Sequence, residues 1–167
     1  MKKLFCIVLG CIIILFCCSC TKEAEKPLSS VTVYYKAAEL TFGTAQSVIA
    51  PCHLDAAGHE NDSAYLLNAY LSNTPSEAFA STFPAGTSLV SITQDALTAK
   101  VILCDEFAKL SGLDLSIACT CLTQTVISLT DCQEVIISAE NAQLDGNNFI
   151  TLSRDSYLLL DESGSAD

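Results

Sequence analysis

The first 20 residues decide which part of this chain can build a folded body. Lys2 and Lys3 precede an uncharged apolar run over 4–16. This run is too short for a membrane-spanning helix, which needs about 20 residues, and it has the length of the hydrophobic region of a signal peptide. Small Ser19 then precedes Cys20, and polar residues follow at once. The pattern predicts cleavage before Cys20 and acylation of its thiol, so residues 1–19 are interpreted as a signal peptide.

The residues before Cys20 resemble the lipobox of bacterial lipoproteins, in which leucine, any residue, a small residue and cysteine follow one another. Cys17 stands here in the leucine position. Two alternatives remain open: acylation of Cys18, whose preceding residues suit cleavage badly, and an uncleaved signal anchor. A metal site in this stretch would place thiolates in hydrocarbon, which is costly. The remaining leader cysteines are therefore interpreted as apolar filler: Cys6, Cys11, Cys17 and Cys18.

The charge balance excludes two classes of partner. The chain has 19 acidic and 8 basic residues, a formal net charge of −11. Loss of residues 1–19 takes away Lys2 and Lys3 and no acid, which brings the charge from −11 to −13. Nucleic acid and anionic lipid head groups would repel such a body. We therefore expect no nucleic-acid partner, and membrane attachment on the extracytoplasmic face through the lipid on Cys20.

Behind the leader, a polar segment over 20–30 containing Pro27 is typical of a lipidated tether. Aromatic and β-branched residues over 31–36 predict a first strand. A second strand is predicted around 47–50, stopped by Pro51 or just beyond it.

Two helices are predicted from apolar periodicity. Acidic residues in 60–63 suit the positive first turn of a helix, and four apolar residues follow at helical spacing: Leu66, Leu67, Tyr70 and Leu71. A longer helix over 113–129 has one apolar stripe, formed by Leu115, Ala118, Leu122, Thr125 and Leu129.

The other segments predict strands and turns. Residues 89–93 and 99–103 predict a hairpin turning at 94–97, and residues 134–139 predict a core strand. Proline and glycine in 83–86 predict a type I turn, 105–107 a short helical turn, and 145–148 another turn. Residues 149–152 and 157–160 suit a terminal hairpin. The mixed order of elements predicts an α+β fold, with a small mixed sheet packed by two main helices in a single domain.

Four segments together resemble the GerMN domain, which is named for sporulation and spore-germination lipoproteins. They are 33–35, the helix over 66–71, the Pro-x-Gly-Thr element in 83–87, and 99–107. The resemblance covers residues 31–140, which leaves 141–160 as a terminal hairpin extension and 161–167 as a disordered tail. The family usually has Asp-Gly where Asp95-Ala96 stands, and serine near Cys104-Asp105.

The resemblance implies a non-enzymatic role. Family members act in envelope assemblies of sporulating cells and as lipoprotein partners of membrane proteins. Their fold is similar to ring-building motifs, which implies that self-association is an option. The family offers no catalytic residue, metal or cofactor to carry over to this chain.

The residues themselves offer little chemistry. Cys52, His53, His59 and Asp55 could ligate zinc, but their spacing fits no standard site, and an ordinary polar loop is the alternative. Adjacent carboxylates such as Asp105-Glu106 and Asp161-Glu162 point to opposite faces when on strands and make poor acid–base pairs. No Gly-x-Ser-x-Gly or glycine-rich phosphate loop is present.

Five cysteines remain after Cys20, an odd number that excludes complete internal pairing: Cys52, Cys104, Cys119, Cys121 and Cys132. The residues of the Cys-x-Cys pair point about 200° apart on a helix, so they are interpreted as buried apolar filler. We expect mostly reduced thiols, with a Cys104–Cys132 bridge as the alternative.

The sequence therefore predicts a lipid-anchored interaction or assembly module for envelope or membrane proteins. Tyr34, Tyr35 and Tyr70 are candidate contact residues, with core packing as the alternative. A tethered module that binds a small molecule or cell-wall glycan is a second hypothesis, and an envelope hydrolase is a third.

Overall fold

The computed structural model describes residues 29–38, 48–73 and 76–154. The predicted signal peptide, Cys20, most of the tether, the second strand of the terminal hairpin and the tail lie outside these ranges. The elements in chain order are β1 (Ser30–Lys36), β2 (Ile49–Asp55), α1 (Ser63–Ser72), β3 (Leu89–Asp95), β4 (Thr98–Leu103), a 3₁₀ helix (Asp105–Lys109), α2 (Gly112–Leu129), β5 (Glu134–Ala139) and β6 (Ile150–Ser153). The predicted α+β class with two main helices is confirmed.

The strands form two sheets. β1 and β2 pair antiparallel, and the other four are ordered β3-β4-β5-β6. β4 and β5 are parallel, while the pairs β3–β4 and β5–β6 are antiparallel. Parallel neighbours need a long crossover, and α2 with the 3₁₀ helix provides it. The predicted hairpin of β3 and β4 and the predicted core strand β5 are confirmed.

Helix α2 is the centre of the fold, because it packs against both sheets. Its predicted stripe packs with the inner faces of β4 and β5. Leu115, Ala118 and Leu122 are at most 3% exposed, and Leu129 at the end of the stripe is partly buried. The helix is long and apolar enough to cross a membrane, but 61% of it is buried within the protein. This burial is typical of the core helix of a globular domain.

Side-chain hydroxyls of α2 form hydrogen bonds with backbone groups of β1, on the side of that strand that does not pair with β2. The Tyr34 N–H donates to Thr125 Oγ1 at 3.0 Å, and Ser128 Oγ donates to the Thr32 carbonyl. Further along, the Lys36 N–H donates to Thr82 Oγ1 at 3.0 Å. Buried backbone groups need partners, and these hydroxyls supply them where a third strand would otherwise be required. Thr125 and Ser128 of α2 thus have a structural explanation.

Strand β2 continues through Pro51 to Asp55, so the prediction that it stops at Pro51 or just beyond was wrong. A backbone hydrogen bond lies just beyond each end of the β1–β2 ladder. The Ala37 N–H donates to Val48 O at 2.9 Å, and the Ala56 N–H donates to Ser29 O at 2.8 Å. The alternation of an antiparallel ladder then turns the nitrogen of Pro51 away from β1. A proline is tolerated there because no ladder hydrogen bond is lost.

Two turn assignments also change. Asp62 is the N-cap of α1 and its carboxylate accepts the Tyr65 N–H at 2.9 Å, while the first turn itself contains no acidic residue. The turn predicted over 83–86 is shifted by one residue, because the Thr87 N–H donates to Pro84 O at 3.1 Å. Gly86 is then the third residue of the turn, with φ +87°, as a type II turn requires.

Ala96 occupies a position that favours glycine. It is the first of two residues between the paired Asp95 and Thr98, and its φ is +51°. A left-handed conformation costs a non-glycine residue about 1–2 kcal/mol. The hairpin forms despite this cost, so the departure from the Asp-Gly pattern leaves the fold intact.

Candidate interaction surfaces

Two segments of the GerMN resemblance, the Pro-x-Gly-Thr element in 83–87 and the segment 99–107, contact each other. The Ser88 N–H donates to Cys104 Sγ at 3.2 Å, and Cys104 Sγ donates to Gly86 O at 3.4 Å. A side chain built on Gly86 would have its Cβ 3.8 Å from Glu106 Cγ. These contacts hold the turn before β3 against the end of β4, so the motif has a structural role.

The environment of Cys104 changes the acidity of its thiol. Burial raises the pKa, but hydrogen bonds from Ser88 and from the backbone of Glu106 and Phe107 outweigh that effect and lower the pKa below its usual value. A lower pKa increases the thiolate fraction near neutral pH, and the thiolate is the reactive form. By contrast, burial raises the pKa of Cys119 and of Cys121 to about 12.

All five cysteines in the described ranges are free thiols. Cys119 and Cys121 are 1% and 0% exposed, which confirms their prediction as core residues. Cys132 is also buried, and the alternative Cys104–Cys132 bridge is not formed.

We expect alkylation to distinguish these thiols. At pH 8, iodoacetamide should modify Cys104 in the folded chain at least about tenfold faster than Cys119 or Cys121, because the latter are buried and protonated. Peptide mass spectrometry after timed quenching measures the rates, and urea-unfolded protein is the control in which all three should react alike. Equal rates in the folded chain, or a two-dalton mass deficit before reduction, would contradict the free-thiol arrangement.

The possible zinc ligands do not converge. Cys52 and His53 are neighbours on β2 and therefore point to opposite faces, and Asp55 accepts the Ala57 N–H at 2.9 Å. His59 stacks on Tyr65, with ring centroids 3.6 Å apart. Within 29–38, 48–73 and 76–154, no group of three His, Cys, Asp or Glu side chains could hold a metal ion.

Two of the three candidate contact tyrosines are core residues. Tyr35 is 1% and Tyr70 0% exposed. The Tyr35 hydroxyl donates to Tyr70 O at 2.9 Å, and the Tyr70 hydroxyl donates to Tyr34 O at 2.6 Å. Burial raises the pKa of Tyr35 to about 12 and raises that of Tyr70 as well. These residues join β1 to α1, and only Tyr34 keeps a half-buried side chain.

The face of the four-stranded sheet opposite the helices is open. Strand pairing aligns one row across all four strands, formed by Thr93, Lys100, Ile136 and Thr151. Thr93, Lys100 and Thr151 are exposed, while Ile136 is half-buried. Exposed Val90, at the bulge of β3, and exposed Phe149, just before β6, lie beside this open face. It is mixed in character, with hydroxyls, aliphatic groups and one cation.

A shallow hollow of about 630 Å³ lies at one end of the open face, where the carboxyl ends of β4 and β5 meet. Ile102, Ser138, Asn141, Gln143 and Asn148 contribute to its lining. Gln143 Nε2 donates to Asn148 Oδ1 at 3.1 Å, and the Asn141 N–H donates to Asp105 Oδ1 at 2.8 Å. Amide and hydroxyl groups of this kind can bind ligands by hydrogen bonding.

Neither the open face nor the hollow was predicted as a site. Alternating polar residues in β3 and β4 are the signal that could have indicated an exposed face. Their alignment with β5 and β6 depends on a parallel pairing that residue pattern alone does not specify.

No protein-family model matches the chain, and no curated protein sequence matches it. Among solved structures, the first GerMN domain of the sporulation protein GerM from Bacillus subtilis is similar, with a TM-score of 0.58 and 16% identity over 75% of this chain and 98% of that one. A Clostridium perfringens protein classed provisionally as a lipoprotein has a TM-score of 0.48 and 14% identity over 77% and 90% of the two chains. The similarity to the GerM domain extends over three quarters of this chain and nearly the whole comparison domain, so this chain has a GerMN-like fold.

Proposed function

We propose that this chain is a lipoprotein anchored on the extracytoplasmic face of the cell membrane through acyl chains on Cys20. Its GerMN-like domain binds envelope or membrane proteins and does not turn over a substrate. The similarity to a domain of a sporulation protein supports a role in sporulation or germination complexes. The observation that carries the proposal is the open face of the four-stranded sheet.

The open face suits a protein partner. Hydroxyls, two isoleucines and Lys100 are spread over four strands, and large hydrophobic side chains, Val90 and Phe149, stand 45% and 59% exposed beside them. A central patch that combines aliphatic groups with a few polar ones is typical of protein interfaces. Residues from separate strands can thus contact one partner surface.

Charge decides which partner surface fits. The expected mature charge of −13 follows from the loss of two of the 8 basic residues and none of the 19 acidic ones, and it attracts a basic surface over long range. Lys100, however, lies at the centre of the open face. The proposed partner is a protein with a basic surface that presents an acidic side chain to Lys100. The lipid tether raises the local concentration of the domain near such membrane partners.

The chemistry of the described side chains supports a binding role over a hydrolase. His59 stacks on Tyr65, and Asp105 bonds to Asn141. A hydrolytic site would need a nucleophile and a base within hydrogen-bond reach of each other. The His59 ring and the Asp105 carboxylate instead have structural partners in Tyr65 and Asn141.

Two variants that reverse the charge of a lysine side chain test the proposal. Lys100→Glu on the open face should reduce the partner recovered from crosslinked membranes at least about tenfold, because a desolvated ion pair would become a repulsion. Lys109→Glu makes the same charge change in the 3₁₀ helix, where Lys109 pairs with Glu106, and should leave recovery within about twofold. Quantitative mass spectrometry of affinity-purified complexes measures both. Equal recovery with the two variants would rule out the open face.

A second candidate function is binding of a polar small molecule or cell-wall glycan. The hollow with its amide side chains favours it, because Asn and Gln are suited to sugar hydroxyls. Retention on purified cell-wall glycan, kept in Lys100→Glu and lost in Asn148→Ala, would favour this alternative over a protein partner.

A further inference from the structure

The outer edge of β3 is where the four-stranded sheet can accept another strand. β3 is the first strand of the sheet and pairs with β4. The carbonyls of Leu97 and Leu103 accept hydrogen bonds from residues that flank β5, while the Cys104 N–H donates to Ser88 O, just before β3. Because backbone groups alternate sides along a strand, the even-numbered residues of β4 face β3 and the odd-numbered ones face β5.

The register then identifies the free backbone groups of β3. Thr93 pairs with Lys100, so the N–H and C=O of Thr93 face β4, whereas those of Ile92 and Gln94 face away from it. Within the described part of the chain, no hydrogen bond reaches the backbone of Ile92 or Gln94 on that outer side. The edge therefore offers two N–H and two C=O groups to a partner strand.

This edge lacks the protection found in the other sheet. The nitrogen of Pro51 faces away from β1, so the outer edge of β2 has no N–H at that position. In β3 an outward position is held by Gln94, whose side chain is exposed, and the strand contains no proline or lysine. Proteins commonly use such residues to block an open edge. The edge of β3 therefore suits pairing with a further strand.

Two charged side chains lie beside this edge on the open face. Thr93 aligns with Lys100 and Asp95 aligns with Thr98, and alternate residues of a strand share a face. Asp95 and Lys100 are exposed, and neither forms an ion pair within the described residues. Ile92, on the opposite face, packs against the core. An added strand would thus meet an acid, a base and an apolar group at fixed positions.

These positions define the occupant. Strands lie about 4.8 Å apart, so a residue opposite Thr93 on an added strand would lie about 10 Å from Lys100, a distance that two extended side chains span. A residue opposite Asp95 would contact it directly. A second copy does not match, because the only charged residue of its β3 is Asp95, and two chains with 19 acidic and 8 basic residues repel each other.

We propose that the edge of β3 binds an extended strand of the partner protein, which adds to the four-stranded sheet antiparallel to β3. From its amino end, this strand carries a basic residue opposite Asp95, any residue, an acidic residue opposite Thr93 and an apolar residue opposite Ile92. Main-chain bonds to Ile92 and Gln94 supply affinity, and the charges set the register. The inference rests on the proposed function, because the added strand presents its acidic side chain to Lys100.

A synthetic peptide, acetyl-Thr-Lys-Thr-Glu-Val-Thr-amide, tests the edge directly. On the full chain in detergent micelles, saturating peptide should slow amide hydrogen exchange at Ile92 and Gln94 at least about tenfold, measured by NMR, because both N–H groups enter the added ladder. Exchange at Thr93, whose N–H already faces β4, should change less than about twofold. Absence of slowing at Ile92 and Gln94 would overturn the proposal.

A second peptide with Lys and Glu exchanged has the same composition. It should bind at least about fivefold more weakly, because each charge then meets a like charge. Equal affinity of the two peptides would contradict the register.

A proline variant of the protein separates backbone pairing from side-chain contact. Gln94→Pro removes the outward N–H and leaves the ladder with β4, in which that N–H takes no part. It should lower the affinity for the peptide at least about tenfold, whereas Gln94→Ala keeps the N–H and should stay within about twofold. Exchange at Val101 and Ile137 reports whether the sheet remains folded. Equal affinities of the two variants would contradict strand addition.

Methylation of peptide nitrogens repeats this test on the unchanged protein, should Gln94→Pro unfold the sheet. A methyl group on the Val nitrogen blocks the bond to Ile92 O and should weaken binding at least about tenfold. A methyl group on the Glu nitrogen points away from β3 and should cost less than about threefold. Equal losses would contradict an added ladder.

Recovery of the partner from crosslinked membranes separates this inference from the proposed function. Loss of recovery in both Lys100→Glu and Gln94→Pro supports strand addition. Loss in Lys100→Glu alone would overturn strand addition and leave the open face as the binding surface, while loss in neither would contradict both. If the amides of Ile92 and Gln94 are protected without peptide and lose that protection on tenfold dilution, the edge binds a second copy, which would also overturn the proposal.

Discussion

Replacing Cys20 with alanine is expected to abolish labelling of the chain by an alkyne-bearing fatty acid and to release it from the membrane fraction. In the proposed lipoprotein, the Cys20 sulfur is the attachment point of acyl chains, and each buried methylene would contribute about 0.8 kcal/mol to membrane binding. Loss of two or three chains therefore removes essentially all of the anchoring free energy. Copper-catalysed coupling of a dye to the alkyne, followed by gel fluorescence, measures the label.

Cys18→Ala is the matched control, because Cys18 is the alternative acylation site two residues earlier. This variant should keep both the label and the membrane fraction. Loss of label in Cys18→Ala, together with full label in Cys20→Ala, would mean that Cys18 is the acylated residue. Absence of label in the unmodified chain would contradict the lipoprotein hypothesis and favour the uncleaved signal anchor.

The second large effect concerns the core of α2. Leu122→Ala is expected to lower the free energy of unfolding by about 3 kcal/mol, because Leu122 is 0% exposed and its removal leaves a cavity. With an m-value of about 2 kcal/mol/M, the urea midpoint should fall by about 1.5 M. Circular dichroism at increasing urea concentration measures the midpoint.

Leu113→Ala is the control on the same helix. Leu113 is 55% exposed, so the identical change should cost less than about 0.5 kcal/mol. A comparable loss in both variants would mean that Leu113 is covered in solution. A small loss in Leu122→Ala would show that α2 does not pack against the four-stranded sheet as described.

Most elements of this fold could be predicted because their signals are local. Tyr70 and its apolar neighbours recur at helical spacing, and β-branched residues over 134–139 form a continuous run. Both patterns report which side of a segment is buried, whatever lies against it. Such patterns predicted the bounds of β5 as observed, the start of α2 one residue late, and the start of α1 three residues early.

Pro51 and Gly86 show where local signals fail. Proline disfavours a strand only where its missing N–H would be needed, and in β2 that nitrogen faces away from β1. The turn at Gly86 is one residue later than predicted because the Thr87 N–H bonds to Pro84 O. Each outcome depends on which neighbour accepts or donates a hydrogen bond.

The candidate surfaces depend even more on tertiary contacts. Tyr35 and Tyr70 have the composition of interface residues, yet each hydroxyl finds a backbone acceptor across β1 and α1. The open face exists because β4 pairs with β5, which follows it by about 30 residues. No periodicity within a single segment carries that information.

The sequence by itself determined the leader that predicts Cys20 as an anchor, the acidic charge that repels nucleic acid, and the alternation of strands and helices. These properties follow from composition and from short-range spacing. Only the tertiary structure decided that Cys132 is buried while Cys104 is partly exposed, which tyrosines are core residues, and which face of the four-stranded sheet is open. Those outcomes are set by contacts between residues far apart in the chain, where burial and hydrogen bonding are shared by two elements.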